Sequence, residues 1–231
     1  MSRRIIVVLH LVVLLLASSV THAFAEESLP HYVLGYQYSK SYAGMQGSIW
    51  AYNWFTTENE PGGHHVSSFY INPDGWEGLM DDYIEAGLCK GAFTIYSGSG
   101  DQRPVFFHAY EDYPKVVTQV YREHGRASIG AWHTVKIANY QTSTGAPSDW
   151  CVYFNGVCRV DSAPYGWYVG QPITASERKL VTDHNHSAFS GLMNRKLSGT
   201  HANWTSIAYY DNDIGYRPFT VGGNAWNCII Q

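Results

Sequence analysis

The 231-residue sequence has no cluster of basic side chains, since Arg178-Lys179 and Arg195-Lys196 are isolated pairs. Its 15 Lys and Arg residues against 19 Asp and Glu residues give a net charge of −4, which becomes −6 when Arg3 and Arg4 are removed with residues 1–25. Nucleic-acid affinity depends on basic side chains that neutralise phosphates. The charge balance therefore argues against a nucleic-acid partner.

Motifs for metal or nucleophilic catalysis are also missing. The sequence contains no CxxC and no HExxH, and Gly98-Ser99-Gly100 lacks the strand-to-helix context of a nucleophile elbow. The pairs His64-His65 and His184/His186 have no metal-ligand spacing, so we expect them to be exposed loop residues. We therefore predict neither a metal nor another cofactor.

The chain has one long hydrophobic run, and it lies at the N-terminus. A basic start at Arg3-Arg4 precedes an apolar stretch and a small-x-small site at Ala23-Phe24-Ala25. This order predicts a secretory signal peptide over residues 1–25, because the apolar run is too short for a membrane span. We expect an exported protein with no membrane partner, whose mature part, residues 26–231, is one domain.

There are only four cysteines, and an even count in an exported chain favours disulfides. Cys151 and Cys158 flank a hairpin, where a two-residue Asn155-Gly156 turn would leave their sulfurs diagonal. A four-residue loop, Tyr153 to Gly156, would place them directly opposite each other. We predict this longer loop, a Cys151–Cys158 bond and a Cys89–Cys228 bond, although four cysteines permit three connectivities.

The composition predicts an all-β protein. The chain has 18 Tyr and 8 Trp, and long helical periodicity is missing after the apolar run. About eleven short strand candidates separated by Gly- and Pro-containing turns indicate a two-sheet antiparallel sandwich. Two short helices are predicted, over Gly75 to Asp82 and over Pro172 to Lys179.

Glu85 stands out within a half-buried strand. Period-2 alternation places Ile84, Ala86 and Leu88 on a core face, and Tyr83 and Glu85 on the opposite face, towards solvent or a cleft. A carboxylate beside an aromatic ring on a rigid strand suits acid/base chemistry. A solvated glutamate on an outer sheet face is the alternative.

Several segments resemble a known group of secreted proteins. Ile84-Glu85-Ala86-Gly87 is similar to the motif that holds one catalytic glutamate in neprosin-like domains of the glutamic-peptidase group. The departures are Leu88, where that group has an aromatic residue, and the lack of a glutamate between Trp150 and Cys158. Weaker similarities occur in Gly44 to Trp50, Ser67 to Tyr70, Trp150 to Gly156 and Trp226 to Gln231.

The resemblance implies a jelly-roll, concanavalin-like sandwich that hydrolyses peptide bonds at acid pH. One carboxylate would take a proton from water while a second acid polarises the scissile carbonyl. Glu85 and Glu177 are the predicted catalytic pair, and Tyr83, Gln46 and Trp50 are the predicted neighbours in the cleft, with Gln46 as an oxyanion partner.

Two other functions remain open. Abundant Trp and Tyr would also suit a carbohydrate-binding module, since aromatic faces stack on sugar rings. A glycosidase could likewise use two carboxylates, although no Glu-x-Asp-x-Glu run is present. The expected partner is therefore a peptide or a polysaccharide.

Overall fold

The computed structural model describes most of the chain beyond residue 30. The described residues are 31–54, 63–76, 82–91, 94, 103–112, 116–140, 150–161, 167–180, 182–184, 186–213 and 215–230. They form fifteen β-strands. The strands are β1 (His31–Tyr36), β2 (Gly44–Trp50), β3 (His64–Asn72), β4 (Tyr83–Gly91), β5 (Val105–Asp112), β6 (Val116–Arg126), β7 (Trp132–Asn139), β8 (Trp150–Phe154), β9 (Val157–Asp161), β10 (Gln171–Arg178), β11 (Ser187–Arg195), β12 (His201–Asn203), β13 (Ala208–Asp211), β14 (Tyr216–Gly222) and β15 (Ala225–Ile230).

The strands make two antiparallel sheets, which confirms the predicted all-β sandwich. The seven-stranded sheet has the order β13-β1-β10-β3-β4-β5-β6. The eight-stranded sheet includes β14-β15-β11-β2-β7-β8-β9, and β12 pairs with β11 beside this path. Neighbours such as β10 and β3 are far apart in sequence, so the centre of each sheet depends on long-range pairing.

The main hydrophobic core fills the space between the sheets. On β4 it takes Ile84, Ala86 and Leu88, whereas Tyr83 and Cys89 belong to a separate apolar cluster on the outer face. This is the alternation expected for a strand, and Glu85 shares the outer face with Tyr83. The predicted sidedness of the Glu85 strand is confirmed.

A disulfide joins Cys151 to Cys158, with 6.4 Å between their Cα atoms. The predicted four-residue loop is wrong, because Phe154 pairs with Val157 around a two-residue Asn155-Gly156 turn. Both turn residues have positive φ, 49° and 81°, as a type I′ turn requires. Cys151 and Cys158 are therefore diagonal neighbours, and the pairing register shifts between Val152 and Tyr153. Their Cα separation is still within the usual range for a disulfide.

The predicted Cys89–Cys228 disulfide is wrong, since both residues are buried free thiols. Cys228 is part of the core between the sheets. Cys89 packs on the outer face of the seven-stranded sheet, and its sulfur lies 3.1 Å from the Tyr121 hydroxyl. The backbone of that sheet therefore separates the two thiols.

The helix predicted over Pro172 to Lys179 is also wrong. Residues 172–178 belong to β10, which pairs with β1 on one side and β3 on the other. Of the segment Gly75 to Asp82, residues 77–81 lie outside the described part, as does the predicted signal peptide. No helix among the described residues is long and apolar enough to span a membrane.

Candidate active site

The outer face of the seven-stranded sheet carries a cavity of about 400 Å³ that contains both predicted catalytic glutamates. Glu85 extends from β4 and Glu177 from β10, with β3 between them. Cross-strand register sets their positions: Tyr70 lies opposite Glu85, and Val66 lies opposite Glu177. The other lining residues are His64, Phe107 and Tyr121.

Glu85 is a buried carboxyl group, 4% exposed. Burial raises its pKa from 4.5 to about 8, although hydrogen bonds from the Tyr70 and Ser68 hydroxyls act in the opposite direction. The negative charge of Glu177 adds to the increase. Glu85 therefore holds its proton through the acid and neutral range, which is the state of a general acid.

Tyr70 links Glu85 to the rest of the cavity wall. Its hydroxyl donates a hydrogen bond to the Glu85 carboxyl group, and burial raises the tyrosine pKa. The rings of Tyr70 and Tyr83 are 5.8 Å apart, so Tyr83 supports the ring that contacts Glu85.

Gly87 explains the last position of the Ile-Glu-Ala-Gly motif. A Cβ atom at Gly87 would lie 2.6 Å from the Cα atom of Ser68 on the paired strand. No side chain fits there without moving β3 away from β4. The glycine therefore permits the close strand pairing that holds Glu85 beside Tyr70.

Glu177 has a different environment from Glu85. Its Oε1 atom lies 2.9 Å from Nε2 of His64, and the two side chains are 23% and 14% exposed. The imidazole therefore lies within hydrogen-bond distance of this carboxyl group. The backbone N–H of His64 donates to Oδ2 of the buried Asp183 at 2.9 Å, which fixes the start of β3.

A buried ion pair anchors the end of β10 next to Glu177. The Arg178 guanidinium donates to both carboxylate oxygens of Asp213, at 2.6 to 3.1 Å, and to the Asp183 carbonyl at 3.1 Å. The Tyr216 ring lies 4.7 Å from the guanidinium carbon. Because Arg178 and Glu177 alternate on the strand, this contact fixes β10 from the side opposite the cavity.

Two of the predicted cleft residues are not near Glu85. Gln46 and Trp50 lie on β2 of the eight-stranded sheet, where they alternate with the core residues Met45 and Ile49. The Gln46 amide approaches the Met193 sulfur at 3.3 Å. Both side chains therefore point to the far outer face, and the predicted oxyanion role of Gln46 is wrong for geometric reasons.

The sequence interpretation of the histidine pair was also wrong. His64 and His65 open β3 rather than a loop; His64 lines the cavity and His65 is fully buried. The alternating pattern from His64 to Tyr70 was the available signal, since it places His64, Val66, Ser68 and Tyr70 on one face. This pattern alone does not place His64 beside Glu177, because that contact depends on the pairing of β3 with β10.

No protein-family model and no curated protein sequence matches this chain. Its fold is similar to Scytalido-glutamic peptidase, solved with a peptide-based transition-state analogue, with a TM-score of 0.55, 8% identity and coverage of 87% of this chain and 98% of that one. The eqolisin-family peptidase SCP-B, solved with the tripeptide Ala-Ile-His, gives a TM-score of 0.50, 7% identity and the same coverage.

A glycoside hydrolase family 16 protein from Bacteroides ovatus, solved with a glucan product, is similar at a TM-score of 0.39 and 10% identity, with coverage of 63% of this chain and 65% of that one. That similarity is too low to support an argument about this chain. The two peptidases therefore support the two-sheet jelly-roll fold.

Proposed function

We propose that this protein is a secreted acid hydrolase of the glutamic endopeptidase type, with Glu85 and Glu177 as its catalytic pair. The observation that carries the proposal is the presence of two carboxyl groups with different environments in one cavity of about 400 Å³. The pKa of the Glu85 carboxyl group is about 8, so this group is protonated at lower pH, whereas Glu177 faces His64. Such a difference divides acid and base roles between two carboxyl groups.

In the first step, the Glu85 carboxylic acid donates its proton to the carbonyl oxygen of the scissile peptide bond. The Glu177 carboxylate takes a proton from a water molecule, whose oxygen forms a bond to the carbonyl carbon. The product is a neutral tetrahedral intermediate, and no covalent bond to the enzyme forms.

In the second step, the Glu177 carboxylic acid protonates the peptide nitrogen as the carbon–nitrogen bond breaks. The hydroxyl derived from the substrate carbonyl returns its proton to Glu85, which restores both groups to their starting states. Tyr70 holds Glu85 throughout, and we assign Tyr83 a positioning role through its ring contact with Tyr70.

Two further points support the proposal. The peptidase structures with a similar fold bind a peptide-based analogue and a tripeptide. The Ile84-Glu85-Ala86-Gly87 motif is similar to that of neprosin-like domains, and Gly87 has the close contact with β3 that makes a glycine necessary.

The test is cleavage of a denatured protein between about pH 3 and 8, the range below the Glu85 pKa. We expect Glu85→Gln and Glu177→Gln each to lower the rate by about 10² to 10⁴ while thermal unfolding stays cooperative. Glu111→Gln is the matched control, because Glu111 lies across from Tyr83 on β5 but does not line the cavity. Wild-type protein without proteolysis, or equal loss in the control, would overturn the assignment.

Export is part of the same proposal. The disulfide Cys151–Cys158 is typical of oxidising compartments, and residues 1–25 have the pattern of a signal peptide. N-terminal sequencing of protein from the culture medium should give Glu26 as the first residue. A secreted product that retains Arg3-Arg4 would contradict this cleavage site.

A further inference from the structure

A second groove, of about 290 Å³, lies on the outer face of the eight-stranded sheet. Its wall is made by Trp50 and Trp132, which are directly opposite each other on β2 and β7 and whose rings are 5.4 Å apart in an edge-to-face arrangement. Tyr52 packs edge-on against Trp50 at 6.4 Å. The hydrophobic core separates this groove from the cavity that contains Glu85.

The groove runs across the strands rather than along them. Register aligns Asn227 with Ala188 and Trp50 with Trp132, and the Phe189–Ile49 pair brings Ala188 opposite Trp50. At about 4.8 Å per strand, this row extends about 14 Å over four strands. The small Ala188 lies in this row between Asn227 and Trp50.

The lining combines exposed apolar groups with uncharged polar ones. Trp132 is 47% exposed and Val221 is 60% exposed, and both present apolar surface to solvent in the same groove. Ser190 and Asn227 are half-buried, and within the described ranges neither side chain has a hydrogen-bond partner. No lining residue carries a charge.

We propose that this groove binds a neutral polysaccharide chain. Indole faces pack against the C–H surface of sugar rings, and free hydroxyl and amide groups hydrogen-bond sugar hydroxyls. The lack of charge in the lining disfavours acidic glycans and charged lipid headgroups. A polysaccharide can occupy successive positions along this row of side chains, which is about 14 Å long.

An extended peptide fits the groove less well. Peptides bind sheets most readily by adding a strand to an exposed edge, where the backbone supplies hydrogen bonds. Here β15, β11 and β2 lie inside the sheet and their backbone groups are already paired. The ligand must therefore be recognised by side chains alone.

The test uses the full secreted chain and a panel of insoluble neutral glycans: cellulose, chitin, mannan and β-1,3-glucan, with polygalacturonate as the charged comparator. We expect retention on at least one neutral glycan, and a loss of about tenfold in affinity for Trp132→Ala and for Trp50→Ala. Trp132→Phe, which keeps an aromatic face, should retain part of the affinity that Trp132→Ala loses. Tyr38→Ala is the matched control, because Tyr38 is 80% exposed and lies outside the groove.

Glu85→Gln should bind the glycan as tightly as wild type, so this result is independent of the proposed hydrolase activity. Retention on no neutral glycan, or retention unchanged in Trp132→Ala, would overturn the proposal. Sedimentation supplies the other decisive outcome: a dimer that Trp132→Ala dissociates would assign the groove to a second copy of this chain.

Discussion

The outer face of the seven-stranded sheet buries ionisable groups, whereas the outer face of the eight-stranded sheet exposes uncharged aromatic ones. On the first face Glu85 is 4% exposed and its pKa is about 8. On the second, Trp132 is 47% exposed and no charged residue lines the groove. Burial of a carboxyl group costs stability and changes its proton affinity, so the first face suits acid/base chemistry. The exposed aromatic rings of the second face are better suited to binding a ligand.

The largest expected effect is on the pH dependence of stability. Because the pKa of Glu85 is about 8 in the folded protein and 4.5 in the reference state, the folded state binds the extra proton between these values. The free energy of unfolding must then fall as the pH rises from about 4.5 to 8, by up to about 5 kcal/mol. Glu85→Gln should remove this dependence and be the more stable form at pH 8.

Urea unfolding at several pH values measures this difference directly. Glu111→Gln provides the comparison, since Glu111 is a half-buried glutamate on the same face outside the cavity. Parallel pH curves for wild type and Glu85→Gln would show that Glu85 is not desolvated in solution, and the contrast between the two faces would be lost.

A second large effect should follow from breaking the ion pair behind the cavity. Asp213→Ala leaves the Arg178 guanidinium, 4% exposed on its side chain, without its carboxylate partner. An uncompensated buried charge usually costs about 3 to 5 kcal/mol. Chemical denaturation measures the loss, and Asp74→Ala is the control, since Asp74 is an exposed aspartate in the turn after β3. Equal losses in both variants would contradict the anchoring role.

Local sequence patterns predicted one strand of the site correctly and another incorrectly. Alternation on β4 correctly predicted the side on which Glu85 lies, because that pattern is local. The segment Pro172 to Lys179 was predicted as a short helix, and it does contain residues such as Ala175 and Glu177 that favour helices. In the fold this segment pairs with β1 and β3 and is almost wholly buried, so tertiary packing overrides the local preference.

The parts of the site that sequence analysis missed depend on long-range pairing. His64 and Glu177 are 113 residues apart, and their contact exists only because β3 and β10 are neighbours. Gln46 and Trp50 were assigned to the wrong face for the same reason, since alternation gives two faces of a strand but does not tell which sheet the strand joins. The predicted Cys89–Cys228 disulfide was wrong because the two thiols are buried on opposite sides of the seven-stranded sheet.

A moderate effect is expected when the partner of Glu177 is changed. His64→Gln removes the imidazole whose Nε2 lies 2.9 Å from Oε1 of the proposed base, so we expect kcat to fall about tenfold while KM changes little. His64→Lys, which supplies another nitrogen donor for the Glu177 carboxyl group, should restore part of the rate, whereas His201→Gln on the exposed β12 should leave the rate unchanged. A loss that Lys does not rescue would assign His64 a structural role.

The smallest effect should come from Gln46→Ala, on the opposite sheet. Gln46 is half-buried, and its amide contacts the Met193 sulfur at 3.3 Å, a weak hydrogen bond. The change therefore removes little packing and no charge, and stability should change by less than about 1 kcal/mol. Proteolysis should stay within about twofold of wild type, because the core lies between Gln46 and Glu85. A rate loss of about 10² or more, as expected for an oxyanion donor, would place Gln46 in the active site and contradict the separation of the two faces.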